Sequence, residues 1–258
     1  MFHIYLPFCK HYVYTSLYIL LVYKDFGLQM FLNFYTSRNS MVVSSGNNAL
    51  DKFFGGFREG MITMVYGKGA SGKSTLCLMC ASYLAKNGKR VIYIDTEKEF
   101  SVERIKQIIG EDYIKYLDNI LVFNPKSFDE LDKEIKNLDK VLKSGISLII
   151  LDNISYFYKL ELKNKDAKEI NRATANQLTV FKELAKQYNI PIIITSQVYE
   201  DFKVKDKINM VGSFMQKFSK CLIEMNKEYK RKRLILKKPK ENYERWIFFD
   251  IKDKGIIV

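Results

Sequence analysis

The stretch Met61-Ile62-Thr63-Met64-Val65-Tyr66 followed by Gly67-Lys68-Gly69-Ala70-Ser71-Gly72-Lys73-Ser74-Thr75 decides the fold. A short apolar run ending in a glycine cluster reads as a buried strand. Gly67 to Ser74 then match G-x-x-x-x-G-K-[ST] without deviation, between that strand and a helical pattern over Ser74–Lys86. In this motif the glycines let successive backbone N–H groups turn inward around a phosphate, and the helix N-terminus favours the negative charge. The spacing therefore assigns Gly67, Lys68, Gly69, Ala70, Ser71, Gly72, Lys73, Ser74 and Thr75 to a nucleotide cradle. Lys73 is expected at the β- and γ-phosphates, and the Ser74 hydroxyl at Mg²⁺.

Outward from the cradle, strands and helices alternate. Val91–Asp95, Ile120–Phe123, Leu148–Asp152 and Ile190–Ser196 read as strands. Helical patterns start at Ser101, run from Ser127 through about Leu142, and cover Ala167–Tyr188; Asn87-Gly88 marks the end of the cradle helix. Alternation of this kind predicts a parallel sheet covered by helices on both faces. After residue 218 the pattern becomes short strands with tight connections: Cys221–Met225, Arg233–Leu236, Trp246–Ile251 and Ile256–Val258. These are expected as antiparallel pairs at one sheet edge. The fold class that follows is an α/β P-loop NTPase core.

Three further positions carry chemistry. Asp152 closes the strand LIILD and is the expected Walker-B carboxylate, a second Mg²⁺ ligand acting through water. Glu97, just past the strand VIYIDT, is a candidate to orient an attacking water, with Glu99 in the same charge run as its competitor. Gln197 ends the strand in TSQV, where a neutral amide can sense the γ-phosphate. Both histidines, His3 and His11, precede residue 12, so imidazole-based triads and the common zinc sites are excluded from the main body. Cys77 and Cys80 fall at i and i+3 on the cradle helix and read as buried core thiols.

The chain has 258 residues, with 47% hydrophobic and 28% charged, an ordinary globular balance. It carries 42 Lys and Arg against 29 Asp and Glu, a formal charge of +13 that favours polyanionic partners. Lys227 to Lys240 hold eight basic residues and one acidic in fourteen positions, with Tyr229, Tyr243 and Trp246 nearby. This strip is expected to contact DNA phosphates, with Arg231, Arg233 and Lys237 on one strand face and Lys230, Lys232 and Lys238 on the other; a solvated edge strand kept soluble by lysine is the competing account. Residues 1–40 differ from the rest: aromatic-rich, with only Lys10, Lys24, Asp25 and Arg38 charged. Their apolar run over Tyr12–Tyr23 falls short of the ~20 residues that span a membrane. The segment is expected to lie upstream of a natural start at Met41, with packing and membrane attachment as alternatives. The body, 41–258, is expected to be one ATPase domain. Four cysteines form no disulfide framework, which points to a reducing cytoplasm.

The P-loop, YIDTE, LIILD and TSQV together resemble the RecA/RadA recombinase core. SSGNNALDKFFGGFREGMITMVYG, DNISYFYKLEL and NRATANQLTVFKELAKQYNIPIIITSQVYED narrow the resemblance to the archaeal RadB family, over about residues 42 to 258. The resemblance implies a RecA-like ATP-binding protein of recombination and repair, using Mg²⁺. It implies weak ATPase activity, DNA binding, an accessory role beside a RadA-type recombinase and a capacity for homo-oligomers. It also carries over Glu97 as the water-activating carboxylate. This chain departs from the family at Lys159, which replaces the arginine of a Tyr-Arg-Leu-Glu-Leu stretch, and at three further points. Ser74 replaces threonine; Lys98 stands where glycine commonly follows the catalytic glutamate; Lys237-Lys238-Pro239 replaces a Lys-His-Arg motif. A RecA-like regulatory ATPase of the circadian-clock type, acting on protein partners, is the alternative.

Overall fold

The computed structural model describes residues 41–200, 208–228, 231–239 and 244–258. Residues 1–40, together with Tyr229, Lys230, Lys240 and Tyr243 of the basic strip and its surroundings, lie outside the described residues.

Two short strands open the body, β1 (Val42–Val43) and β2 (Phe57–Arg58), paired antiparallel around helix α1 (Asn48–Phe54). Asn47 caps α1 by accepting from the amides of Ala49 and Leu50, and Gly55 ends it at φ +86°. The sequence patterns had not resolved these three elements. Then come β3 (Ile62–Tyr66), α2 (Lys73–Lys86), β4 (Arg90–Asp95), α3 (Val102–Ile109), a 3₁₀ turn and the one-turn α4 (Ile114–Leu117), and β5 (Ile120–Phe123). These are followed by α5 (Phe128–Leu142), β6 (Ile146–Asp152), α6 (Ser155–Glu161), α7 (Ala167–Tyr188) and β7 (Ile192–Ser196). A small hairpin, β8 (Val198–Glu200) with β9 (Ile208–Met210), and a 3₁₀ helix (Ser213–Phe218) lead to β10 (Cys221–Glu228), β11 (Arg231–Lys238), β12 (Arg245–Lys252) and β13 (Gly255–Ile257).

Nine strands form one sheet in the order β13-β12-β11-β10-β3-β7-β6-β4-β5. From β10 to β5 every neighbouring pair is parallel, and from β10 to β13 every pair is antiparallel. Strand β10 is therefore the seam. It pairs antiparallel to β11, as the sequence pattern predicts, and it also pairs parallel to β3, Cys221 opposite Thr63 through Glu224 opposite Tyr66. The cradle strand β3 is thereby central, with all five residues buried.

Period-two alternation divides the apolar strands between two cores. Met64, Ile92, Ile94, Ile149 and Leu151 face the side covered by α5 and α7, with Leu131, Ile135, Leu178 and Phe181 opposite them. Val65, Val91, Tyr93, Leu148 and Ile150 face α2, with Leu76, Cys77 and Cys80. Both thiols are fully buried, and burial raises their pKa. The described residues contain no group of three metal-ligating side chains. No described helix is long and apolar enough to cross a membrane.

On α5, Ser127 caps the first turn by accepting from the Glu130 amide at 3.1 Å. Glu134, four residues on from Glu130, has a carboxylate oxygen buried without a partner. Burial, with the negative charge of Glu130 second, pushes its pKa up from 4.5 to about 7. A raised carboxyl pKa gives stability that is present below the ordinary value and lost as pH rises through about 7. Glu134→Gln is therefore expected to stabilise the fold by ~1 kcal/mol above pH 7, the effect being reduced by solvent screening of a partly exposed group. Below about pH 4.5 the two proteins should melt together. Thermal melts across this range check it, and equal melting temperatures above pH 7 would refute it.

Candidate functional site

The cradle follows β3 directly. Gly67 donates its amide to the Ser196 carbonyl of β7 at 3.3 Å, and a Cβ on Gly67 would lie 1.9 Å from the Met225 carbonyl oxygen of β10. The close approach of that strand makes glycine obligatory here. Gly72 precedes α2 at φ +109°, with a hypothetical Cβ 2.9 Å from Ile251 Cδ1. Lys73 is buried, and its ammonium donates to the carbonyls of Gly67 at 3.0 Å and Lys68 at 2.9 Å. Burial lowers its pKa, while the carboxylates of Asp152 and Glu97 oppose that shift. Ser71 Oγ is buried without a partner. The outer turn of the loop is held by Lys232 of β11, whose ammonium donates to the Ala70 carbonyl at 3.3 Å.

Across the cleft, β4, β6 and β7 bring their carboxyl ends together. Asp152, at the end of β6, accepts from Tyr93 Oη at 2.8 Å and from Thr195 Oγ1. Asp95 sits beside it in register, but faces a different task. It accepts from the amides of Glu97 at 3.2 Å and Phe100 at 2.7 Å, and so shapes the loop that carries both glutamates. Thr96 ties that loop to β6: its amide donates to the Asp152 carbonyl at 2.9 Å, and its hydroxyl donates to the Asn153 carbonyl at 2.8 Å.

The two glutamates now separate. Gln197 Nε2 donates to Glu97 Oε1 at 2.8 Å. Its Oε1 accepts from the Lys159 ammonium of α6, and its backbone N–H donates to Ser155 Oγ at 2.9 Å. Glu99 lines the same cleft but is exposed and has no such tether. Burial is the largest influence on Glu97 and raises its pKa; Glu99 and Asp152 add to the rise, and Asn153 and Lys159 oppose it. Lys98 adopts φ +59°, the left-handed region that favours the glycine common in the resembling family.

A cleft of about 430 Å³ joins these groups: Gly69, Ala70, Gly72, Lys73, Ser74 and Thr75 on one side, Glu97, Glu99, Asp152, Asn153 and Gln197 on the other. The residues present suit a magnesium nucleotide. A glycine-walled loop, an orphaned serine hydroxyl and a buried ammonium stand opposite a buried carboxylate that retains lone pairs.

The basic strip divides by strand face. Arg231 lies over the Phe248 ring at 5.2 Å and Arg233 over Trp246 at 5.7 Å. The two rings meet edge to face at 5.0 Å and are 38% and 45% exposed. Lys237 is already paired, with Glu244 at 2.5 Å and Glu224 at 3.4 Å. Lys238 donates to the Gln216 carbonyl at 2.5 Å. Of these four cations, Arg231 and Arg233 are the two that lie over partly exposed rings, and Arg231 is itself exposed. Lys159, Thr96 and Asp95 were not among the sequence candidates. Asp95 in YIDTE was the one legible signal, since a carboxylate closing a buried strand needs donors; Lys159 reaches the site only because α6 folds back over β7.

The Rad51 family model matches residues 37–257. The DNA repair and recombination protein RadB of Methanosphaera stadtmanae is 36% identical over 219 residues, 82% of this chain and 94% of that one. The protein of the same name from Methanobrevibacter smithii is 31% identical over 239 residues, 89% of this chain and all of that one. A crystal structure of the RadB recombinase superposes with a TM-score of 0.70 at 30% identity, covering 83% of this chain and 98% of that chain. With a family model spanning most of its length and relatives aligned nearly end to end, the chain belongs to the Rad51 family, in the group of RadB proteins of DNA recombination and repair.

Proposed function

We propose that this chain binds Mg²⁺ and ATP in the cleft between the Gly67–Thr75 loop and the Asp152 strand end, hydrolyses ATP slowly, and binds DNA as an accessory to a RadA-type recombinase. The observation that carries the reading is the convergence of Lys73, Ser74, Asp152, Glu97 and Gln197 on one cleft. Lys73 would leave its two loop carbonyls for the β/γ-phosphates, and Ser74 with Asp152 would hold the metal. A bound Mg²⁺ supplies charge neutralisation at the phosphate oxygens. Glu97, raised in pKa by burial, holds and accepts the proton of the attacking water. Gln197, fixed by Lys159 and Ser155, orients that carboxylate. The alignment with RadB proteins over most of the chain disfavours the clock-type regulatory ATPase. Action in the cytoplasm and assembly into homo-oligomers are parts of the same reading.

ATPase activity and nucleotide-dependent DNA binding on one preparation test it; an absence of both refutes it. On the DNA side, Arg231 and Arg233 supply phosphate contacts beside exposed aromatic rings, a combination suited to single strands. Arg231→Ala with Arg233→Ala is expected to reduce the slope of log K against log salt by about 1.4 to 1.8, or about 0.7 to 0.9 per contact. An unchanged slope would remove these arginines from the interface.

A further inference from the structure

We propose that a second phosphate-backbone track lies at the end of the sheet opposite the nucleotide cleft, in a lysine-lined trough that crosses the start of β3. The proposal rests on the reading of this chain as a DNA-binding relative of the recombinases, and adds a surface to it. A cleft of about 540 Å³ is walled by Gly60, Met61 and Ile62 together with Lys182, Lys186, Lys217, Lys220 and Lys238. An adjoining cleft of about 380 Å³ shares Met61, Lys220 and Pro239 with it and adds Lys52, Arg58 and Arg245. No aspartate or glutamate lines either cleft.

Met61 and Ile62 stand at the opposite end of β3 from the P-loop, five residues or about 17 Å along the strand. The trough is therefore separate from the nucleotide cleft. Lys182 and Lys186 are four residues apart on α7, one turn or about 6 Å. Lys217 ends the 3₁₀ helix region and Lys220 precedes β10. Lys182, Lys186, Lys217 and Lys220 are exposed, and none of their ammonium groups pairs with another described residue. Glu59, next to Gly60, keeps its charge and accepts from the Asn189 side-chain amide at 2.7 Å, but it lines neither cleft.

The four exposed lysines Lys182, Lys186, Lys217 and Lys220 repel one another, and an anion relieves that repulsion. The distribution selects the kind of anion. Cations spread along two adjoining clefts, on flexible stems, suit a linear polyanion rather than one small anion. Lysines act as point charges, so the recognition is of backbone and not of base sequence. Residues 1–40 offer no acidic surplus of their own, with Lys10, Lys24 and Arg38 against Asp25.

The test is the full-length chain with Lys182→Gln, Lys186→Gln, Lys217→Gln and Lys220→Gln combined, titrated with short single-stranded and duplex oligonucleotides at several salt concentrations. Binding of a fluorescent ATP analogue is measured on the same sample as an independent sign of a folded nucleotide site. Four lost contacts predict a salt slope shallower by about 3 and affinity lower by about tenfold or more, with analogue binding unchanged. A slope and affinity equal to the parent's overturn the track; if Arg231→Ala with Arg233→Ala then abolishes binding, the DNA reading survives without it. A parent that binds the ATP analogue but no DNA overturns both the track and the DNA reading. Unchanged DNA affinity with lost binding of polyglutamate assigns the trough to an acidic protein and overturns the nucleic-acid assignment.

Discussion

Lys73→Ala is expected to weaken ATP binding by about 10²- to 10⁴-fold while leaving the fold intact. Its ammonium is the buried cation of the cleft, and its present partners are two loop carbonyls 2.9 and 3.0 Å away. A nucleotide offers charged phosphate oxygens in their place. Two charge-assisted hydrogen bonds at about 1.5–3 kcal/mol each account for the range. The fold should survive, because Lys73 opens α2 at its first residue and belongs to neither apolar core. Calorimetric titration with ATP, beside a thermal melt without nucleotide, measures both halves. Parental affinity in this variant would remove the cleft from consideration as the nucleotide site.

Glu97→Gln should keep ATP affinity close to the parent's and slow hydrolysis by about 10²- to 10⁴-fold, the span of a lost general base. The amide retains the shape of the side chain and can still meet Gln197. Glu99→Gln should hydrolyse at nearly the parental rate, since Glu99 is untethered and exposed. The pH profile adds a second readout. The base works only when deprotonated, and burial raises the Glu97 pKa. The parental rate should therefore fall on acidification at a pH above that of an ordinary glutamate, near 4.3. The residual rate of Glu97→Gln should lack that limb. A dead Glu99→Gln beside an active Glu97→Gln would exchange the two roles.

The choice between Glu97 and Glu99 shows where reading along the chain stops. Both follow the same strand within four residues, and both end up lining the cleft. What separates them is Gln197, a hundred residues away, whose side-chain amide is oriented by Lys159 and whose backbone N–H is held by Ser155. The basic strip behaves the same way. Eight cations in fourteen positions read alike in one dimension. In three dimensions Lys237 pairs with Glu224 and Glu244, Lys232 donates to the P-loop and Lys238 to a carbonyl, while Arg231 lies over Phe248 and Arg233 over Trp246.

The sequence by itself determined the cradle, the α/β alternation and the Walker-B strand. Each is a local pattern: glycine spacing that permits one backbone path, a period of two or 3.6, and a buried strand ending in a carboxylate. The caps at Ser101 and Ser127 belong to the same class, since a capping side chain reaches only three residues on. Only the tertiary structure decided that β10 is the parallel seam of the sheet, that Asp95 shapes a loop while Asp152 faces the cleft, and that lysines from α7, the 3₁₀ turn and β11 line one trough. Those outcomes depend on contacts between residues tens to hundreds of positions apart. Such contacts are set by which faces the packed layers bury, and no window along the chain contains both partners.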